Sequence, residues 1–424
     1  MKKKILHLLA SKKAVVGIVG AGYVGLPLAQ LISKKFNIVL YDHDKKKISK
    51  IKSTKNKFFR KKDKAIITNE ISMLKKTNFI IICLPTPLKS KRKPDLSHIH
   101  SFFKKKNYFI SLNQTIILES TSYPGTSEEM IKKYFSNKKY KFGENIFFGY
   151  SPERVDPGRN LNLNKIPKIV SGFSQNCKKI VKTFYSKIFN KVFETSSMST
   201  AEVTKLYENI YRSVNIALVN EMKMISHKLN LDIYEIISAA KTKPFGFSAF
   251  NPGPGLGGHC VPIDPFYLAW KMKKYNMKTN FIELAGKINS QIPKWILGKT
   301  INFLRKKKYS LKNSKILIIG ISYKKNVDDI RLSPSIDLIN KISKFTTKIN
   351  YVDPFVKQIK KSSGIFKNMK SSKLSKNLLK DNDLVMILTD HDGVNYRQIF
   401  KFSKLIIDTR GIYKNLKSNK ILSV

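Results

Sequence analysis

The chain has 424 residues, 42% of them hydrophobic, enough for two or three domains with substantial cores. It contains no apolar run of about 18 residues, which argues against a membrane-spanning helix and membrane insertion. The formal net charge of +53 alone would suggest nucleic acid or a membrane surface as partner. Yet only nine residues are arginine, and lysine is scattered through every segment rather than gathered in one patch. That scatter fits lysine used as a general solvated residue. No nucleic-acid partner is expected, although the positive field would attract an anionic ligand. Three cysteines cannot all pair, and Cys83 lies in an apolar run, so a reducing, cytoplasmic setting is expected.

In chain order, MKKKILHLLASKK has too short an apolar part for a secretory leader and reads as a basic tail. Val15–Val19 is a β-branched strand entering a glycine turn. A helical pattern follows through Leu26, Leu28, Ala29 and Ile32, and a second strand, Ile38–Tyr41, ends at Asp42. Further strands are expected at Phe79–Leu84, Thr115–Leu118, Ile146–Tyr150 and Lys168–Ser171, in a parallel, doubly wound sheet. Cys177, in SQNCKK, reads as a helix-surface or half-buried residue.

From Ser199 to Leu229 the pattern is that of one long amphipathic helix, with Ser199 or Thr200 as cap. Asp232–Lys241 and Asn280–Leu304 are also helical, with a glycine-rich loop between them. The last third returns to α/β order. Strands are expected at Lys315–Gly320, Lys348–Val352, Leu384–Leu388 and Leu405–Ile407, with a helix over Pro334–Ile342. The fold class is therefore α/β: two Rossmann-like, doubly wound parallel-sheet domains joined by a long central helix in a helical middle domain. The expected boundaries are 1–198, 199–308 and 309–424.

Gly20-Ala21-Gly22-Tyr23-Val24-Gly25 matches G-x-G-x-x-G between a strand and a helix. The first glycine makes the turn, the second admits a pyrophosphate, and the third lets helix and strand pack closely. Asp42 closes the next strand at the spacing that suits a ribose hydroxyl, which favours NAD over NADP. The later turn GISYKK (320–325) lacks this spacing. It reads as a poor dinucleotide site that could hold another nucleotide.

Lys205 and Asn209, four apart on the long helix, share a face and could stabilise an oxyanion, or could simply be solvated. In GPGLGGHCVPID (253–264), Gly253, Gly255, Gly257 and Gly258 could offer backbone N–H groups to a ligand. Cys260 follows them in a loop, which suggests a thiol nucleophile. A buried structural cysteine, or a metal ligand with His259, are the alternatives, but no second Cys/His pair completes a zinc set and no metal is expected. An NAD site with a thiol suggests oxidation to the acid level through a thiohemiacetal and thioester, with Glu153 and Asp264 as proton carriers.

Taken with PTP (85–87), ESTSYPGT (119–126), SPERVDPG (151–158), AEVTKLYEN (201–209) and YKKNVDDIRLSP (323–334), these motifs resemble the UDP-glucose/GDP-mannose dehydrogenase family. The resemblance covers roughly residues 14 to 411. SYPGT, YSPERVDPG and GGHCVPIDPFYL look most like the branch oxidising UDP-N-acetylhexosamines, particularly UDP-N-acetylglucosamine 6-dehydrogenases. It implies a four-electron oxidation of the sugar C6 alcohol to a carboxylate, using two NAD, for surface-polysaccharide precursors.

By motif, Cys260 is the nucleophile, Lys205 and Asn209 hold the oxyanion and help deprotonate the alcohol, and Thr121, Glu153 and Asp264 position or activate water. The resemblance also implies cofactor contacts from Gly20, Gly22, Tyr23, Val24, Gly25, Asp42, Pro85, Thr86, Thr121 and Arg331. UDP-sugar contacts would come from Glu153, Lys205, Asn209, Asn251, Gly255, Gly257, Lys324 and Arg410, and the long helix would build a homodimer. Two departures point away from plain UDP-glucose. Ile263 stands where the glucose enzymes carry a lysine, and residues 241–250 lack the arginine that reaches a neighbouring subunit.

Overall fold

The computed structural model describes residues 2–60, 63–154 and 163–424, so residues 155–158 of the SPERVDPG motif lie outside the described residues. The chain divides into two compact units: Met1–Glu208 with Phe266–Met277, and Asn209–Pro265 with Lys278–Val424. The division falls inside one continuous helix, Met198–Lys228.

The first unit is built on an eight-stranded sheet. Its strands are β1 (Val15–Val19), β2 (Asn37–Tyr41), β3 (Ala65–Thr68), β4 (Phe79–Ile82), β5 (Thr115–Leu118), β6 (Phe147–Tyr150), β7 (Lys168–Gly172) and β8 (Val192–Glu194). Their order is β8-β7-β6-β5-β4-β1-β2-β3. From β6 to β3 the pairings are parallel, as the β-branched runs separated by helices require. The expectation of an all-parallel sheet is corrected at one edge, where β7 pairs antiparallel to β6 with Gly149 opposite Gly172 and Tyr150 opposite Ser171. The intervening sequence, with Pro152, Pro157 and Pro167, offers no pattern for the crossover helix that a parallel return needs.

Two further expectations fail in this unit for the same reason. The supposed basic tail is a helix, α1 (Lys2–Ala10), whose Ile5 and Leu9, four apart, are buried in the core. Burying each of these side chains stabilises by about 1.5–3 kcal/mol, so the segment is part of the domain. Cys177 is not at the surface. It lies fully buried on α4 (Gln175–Ser186), in line with Ile180, Val181, Phe184 and Tyr185. In both helices, runs of lysine and amide residues mask a narrow apolar stripe. The remaining helices used below are α2 (Gly25–Ser33) and α3 (Thr126–Tyr134).

The second unit holds a parallel five-stranded sheet of β9 (Ile316–Ile319), β10 (Ile349–Val352), β11 (Leu384–Ile387), β12 (Leu405–Asp408) and β13 (Ile421–Ser423). The order is β10-β9-β11-β12-β13. Its helices include α6 (Ile233–Ala240), α8 (Asn280–Lys306) and α9 (Pro334–Ile342). Ser333 caps α9 by accepting from the Ser335 amide, and Pro334 opens it. The helix shared between the units is α5 (Met198–Lys228), and α7 (Asp264–Lys273) begins at the end of the glycine-rich loop. Among the described residues no helix is long and apolar enough to cross a membrane.

Candidate active site

In the first unit, Gly20 leaves β1 with φ +99°, and its amide donates to the Tyr41 carbonyl. A Cβ on Gly25 would stand 1.8 Å from the Gly20 carbonyl oxygen, so only glycine lets α2 start there. A Cβ on Gly22 would meet nothing within 4 Å: this backbone faces open space. Asp42, at the end of β2, is buried. It accepts from the amides of Ala21 and Asp44 and from Lys47 Nζ at 2.8 Å. Burial works against its ionisation, but these donors prevail and hold the carboxyl below its ordinary range. Tyr23 is exposed and Val24 half-buried at the start of α2. Pro85 is exposed and Thr86 buried, and the Thr86 carbonyl accepts from the buried Tyr267 hydroxyl of α7.

Past the carboxyl ends of β5 and β6 lies a buried charged cluster. Lys168 Nζ is 2.9 Å from Glu119 Oε2 and 3.2 Å from Glu153 Oε2. The Tyr185 hydroxyl donates to the other Glu119 oxygen. Burial would raise the Glu153 carboxyl, yet the Lys168 ammonium, the Arg154 amide and Lys205 together hold it below its ordinary value. Lys205 is buried, and its Nζ donates to the Glu153 backbone carbonyl at 2.6 Å. The structure thus ties two of the expected site residues, Lys205 and Glu153, to each other.

Thr121 is half-buried in the loop between β5 and α3. That loop is held by Glu202, one helical turn before Lys205. Its carboxylate accepts from the Gly125 amide (2.7 Å), the Ser127 amide (2.9 Å) and hydroxyl (2.7 Å), and the Ser122 hydroxyl (3.3 Å). These amides are the orphan donors of the α3 N-terminus, which a carboxylate suits. Burial nevertheless raises Glu202 to about 7.

In the second unit Cys260 is half-buried, and its carbonyl accepts from the amides of Ile263 and Asp264 in a tight turn. Asn209 Nδ2 donates to Asp264 Oδ2 at 2.7 Å, so these two expected residues also meet. Two of the glycines ahead of the cysteine, Gly253 and Gly258, have a different role from the one their composition suggests. The Gly253 amide donates to Asn220 Oδ1, and the Gly258 amide to the Arg331 carbonyl, so the chain's own acceptors take both N–H groups. A Cβ on Gly257 would lie 2.5 Å from Tyr323 Cβ, and one on Gly253 would lie 2.4 Å from an Arg410 guanidinium nitrogen. The small residues let the loop pack against Tyr323 and Arg410.

Arg410 Nε in turn donates to Asp390 at 2.8 Å. Lys324 follows the Gly320 turn, and its carbonyl accepts from Ser322 Oγ. Asn251 is exposed and Gly255 half-buried with φ +132°. Arg331 belongs to this unit and is clamped to the Asp329 carboxylate.

Comparison with known proteins agrees with this layout. Residues 14–189 match the NAD binding domain of the UDP-glucose/GDP-mannose dehydrogenase family, 199–291 its central domain and 317–415 its UDP binding domain. The chain belongs to this family. It is 32% identical over 362 residues to the UDP-N-acetyl-D-glucosamine 6-dehydrogenase of Salmonella typhi, covering 82% of this chain and 85% of that one. It is also 32% identical over 416 residues to the UDP-N-acetyl-D-mannosamine dehydrogenase of Pyrococcus horikoshii, covering 93% and 95%. A solved UDP-D-ManNAc dehydrogenase structure from Pyrococcus horikoshii superposes with a TM-score of 0.85 at 29% identity, covering 95% of this chain and 96% of that one.

As in its family, the chain is an NAD-dependent nucleotide-sugar dehydrogenase. The first turn fits the cofactor: the open backbone at Gly22 leaves room for a pyrophosphate, and the ionised Asp42 suits a ribose hydroxyl. Sequence reasoning missed Lys168, Glu202 and Asn220. Lys168 is one lysine among many, Glu202 looks like a surface charge near a helix start, and Asn220 sits in an ordinary helical run. Only the fold gives each a buried partner.

Proposed function

We propose that the chain oxidises the C6 alcohol of UDP-N-acetylglucosamine to the uronic acid with two NAD. The observation that carries this reading is the extensive similarity to enzymes named for UDP-N-acetylhexosamines, reaching through the Cys260 loop. When bound, NAD accepts the hydride in each of two oxidations. Lys205 and Asn209 stabilise the alkoxide while its proton leaves, and the C6 carbon becomes an aldehyde. The Cys260 thiolate then adds to this aldehyde. Loss of a second hydride gives a thioester, and water, oriented by Glu153, Thr121 and Asp264, releases the carboxylate and regenerates the thiol. The buried Lys205, braced by the Glu153 carbonyl, and the Asn209–Asp264 bond support these roles. Asn251, Gly255, Gly257, Lys324 and Arg410 hold the UDP-sugar, and Arg331 contacts NAD.

A second reading, UDP-N-acetylmannosamine, is favoured by the longer similarity and the superposition with the Pyrococcus horikoshii enzyme. UDP-glucose is disfavoured by Ile263, whose apolar side chain is buried beside Asp264 where a lysine is usual. The three UDP-sugars, assayed at equal concentration by NADH absorbance, separate these readings. The expected result is two NADH per UDP-N-acetylglucosamine, with acid production abolished in Cys260→Ser. Faster turnover of the manno epimer overturns the gluco assignment, and full acid production by the serine variant overturns the role of the thiol.

We read the chain as three parts, 1–198, 199–308 and 309–424, acting in the cytoplasm on polysaccharide precursors. The exposed Tyr211, Leu218 and Ile225 of α5, spaced by seven, support a homodimer built on that helix. Leu218→Glu should give a monomer by light scattering; an unchanged mass rejects that interface.

A further inference from the structure

Lys168 occupies a position that its strand reaches only because β7 runs backwards. In the antiparallel register Gly149 faces Gly172 and Tyr150 faces Ser171, so paired residue numbers sum to 321. Continued past the last pair, that register sets Lys168 opposite Glu153, whose numbers also sum to 321. A parallel β7 would have begun at the other end of the sheet. The reversal carries an ammonium to the carboxyl ends of β5 and β6, the end of a parallel sheet where ligands bind.

The ammonium is nearly solvent-free, with side-chain exposure of 3%, against 0% for Glu119 and 12% for Glu153. Two carboxylates share this one lysine. Without it they would face each other desolvated, and at least one would take up a proton. The same Glu153 offers its backbone carbonyl to Lys205 Nζ. One residue therefore links Lys168 to the lysine assigned to the oxyanion.

We propose that Lys168 is a positioning residue that keeps Glu153 ionised and fixed, so that Glu153 can serve water activation and brace Lys205. This inference rests on the roles given above to Glu153 and Lys205. Among the described residues, the charged and titratable groups around Glu153 besides Lys168 include Glu119, Lys205 and Cys83, with Tyr185 behind Glu119; the Arg154 side chain turns to Glu208. Lys168 and Lys205 are the cations in this set. Burial alone drives Glu153 towards the neutral acid, and the Lys168 charge is the first influence opposing it.

The test is Lys168→Met, with Lys168→Arg as the conservative control, in the full-length enzyme with NAD and saturating UDP-N-acetylhexosamine. In the wild type, the depressed Glu153 pKa places any acid limb from this group below pH 4.5. In Lys168→Met that limb should move into the neutral range. The variant's kcat should be about tenfold lower at pH 6.5 than at pH 9, with little change in KM, and Lys168→Arg should restore the wild-type profile. Isotope-edited infrared spectra should show one more protonated glutamate at pH 6 in Lys168→Met than in wild type, where Glu202 already carries a proton. If that variant does not fold, Glu119→Gln/Lys168→Met removes both charges and should show the same limb. A folded variant with the wild-type pH profile and no protonated glutamate beyond the wild-type signal overturns the proposal. So does one equally slow at every pH. Wild-type protein that reduces no NAD with any UDP-N-acetylhexosamine would refute the functional reading instead, and the infrared spectrum would then decide the Lys168–Glu153 relation by itself.

Discussion

The chain builds the same turn twice and uses it differently. In each unit a strand ends at a glycine of positive φ, Gly20 or Gly320, and an aspartate closing the adjacent parallel strand accepts the next amide. After Gly20 the backbone opens outward: Gly22 faces open space, and Asp42 also accepts from the Asp44 amide and from Lys47 Nζ. After Gly320 the turn is filled by its own chain. Asp353 accepts from the amides of Ile321, Ser322, Phe355 and Val356, and lies 3.1 Å from Nε2 of the fully buried His391. The motif thus supplies a corner, and the residues that follow decide whether a ligand can use it. A dinucleotide fits the first turn, while the second is closed to the same mode of binding.

The largest effects should strike what the turns share. A Cβ on Gly320 would lie 2.4 Å from the Thr389 carbonyl oxygen, and one on Gly20 would lie 2.6 Å from the Cys83 carbonyl oxygen. Gly20→Val and Gly320→Val should each cost more than about 5 kcal/mol by chemical denaturation, and tolerance of either would break the analogy.

Next come opposite pH responses of the two units. Glu202, in the first, has a folded pKa of about 7, raised from 4.5. Its stabilisation is full below pH 4.5 and is lost as pH rises through 7, a swing of about 3 kcal/mol. Lys223, buried in the second unit beside Asp408 and Arg410, is lowered by burial from 10.5 to about 7. Its stabilisation is full above pH 10.5 and is lost as pH falls through 7, a swing of about 5 kcal/mol. Relative to wild type, Glu202→Gln should therefore gain stability between pH 5 and 8, and Lys223→Met should gain it between pH 9 and 6. Denaturation at each pH gives both signs, and slopes of one sign would remove this contrast.

The aspartates should separate stability from binding. Asp353→Ala should cost about 1–3 kcal/mol through the donors it leaves unpaired, with NAD affinity unchanged by calorimetry. Asp42→Ala should weaken NAD about tenfold. The gentlest probe is Gly22→Val. It should change stability by less than about 0.5 kcal/mol while lowering NAD affinity at least about tenfold. Unaltered NAD binding would mean that the open backbone is not where the cofactor sits.

The strands at Val15–Val19, Phe79–Ile82 and Ile316–Ile319 were legible because buried parallel strands are written as unbroken β-branched runs. So was the first glycine turn, since its three glycines answer steric demands that no other residue meets. What stayed hidden depends on partners distant in sequence. Ala65–Thr68 and Ile421–Ser423 are short strands whose identity comes from the neighbour they pair with. The reversal of β7 depends on pairing that no local propensity encodes. Cys260, the proposed nucleophile, stands out in the sequence by its setting among glycines. Lys168 is indistinguishable in sequence from other lysines until Glu119 and Glu153 are placed beside it, and the duties of Gly253 and Gly258 emerge only with Asn220 and Arg331.

The docking of α1 has a practical side. The NAD-binding domain as the family defines it starts at residue 14, and an expression plasmid trimmed to that boundary would look reasonable. It would delete Ile5 and Leu9 and leave their apolar seat against α4 open to water. Protein made that way should be prone to clump. A purification tag is better placed ahead of residue 2, joined through a flexible spacer, than exchanged for the first dozen residues.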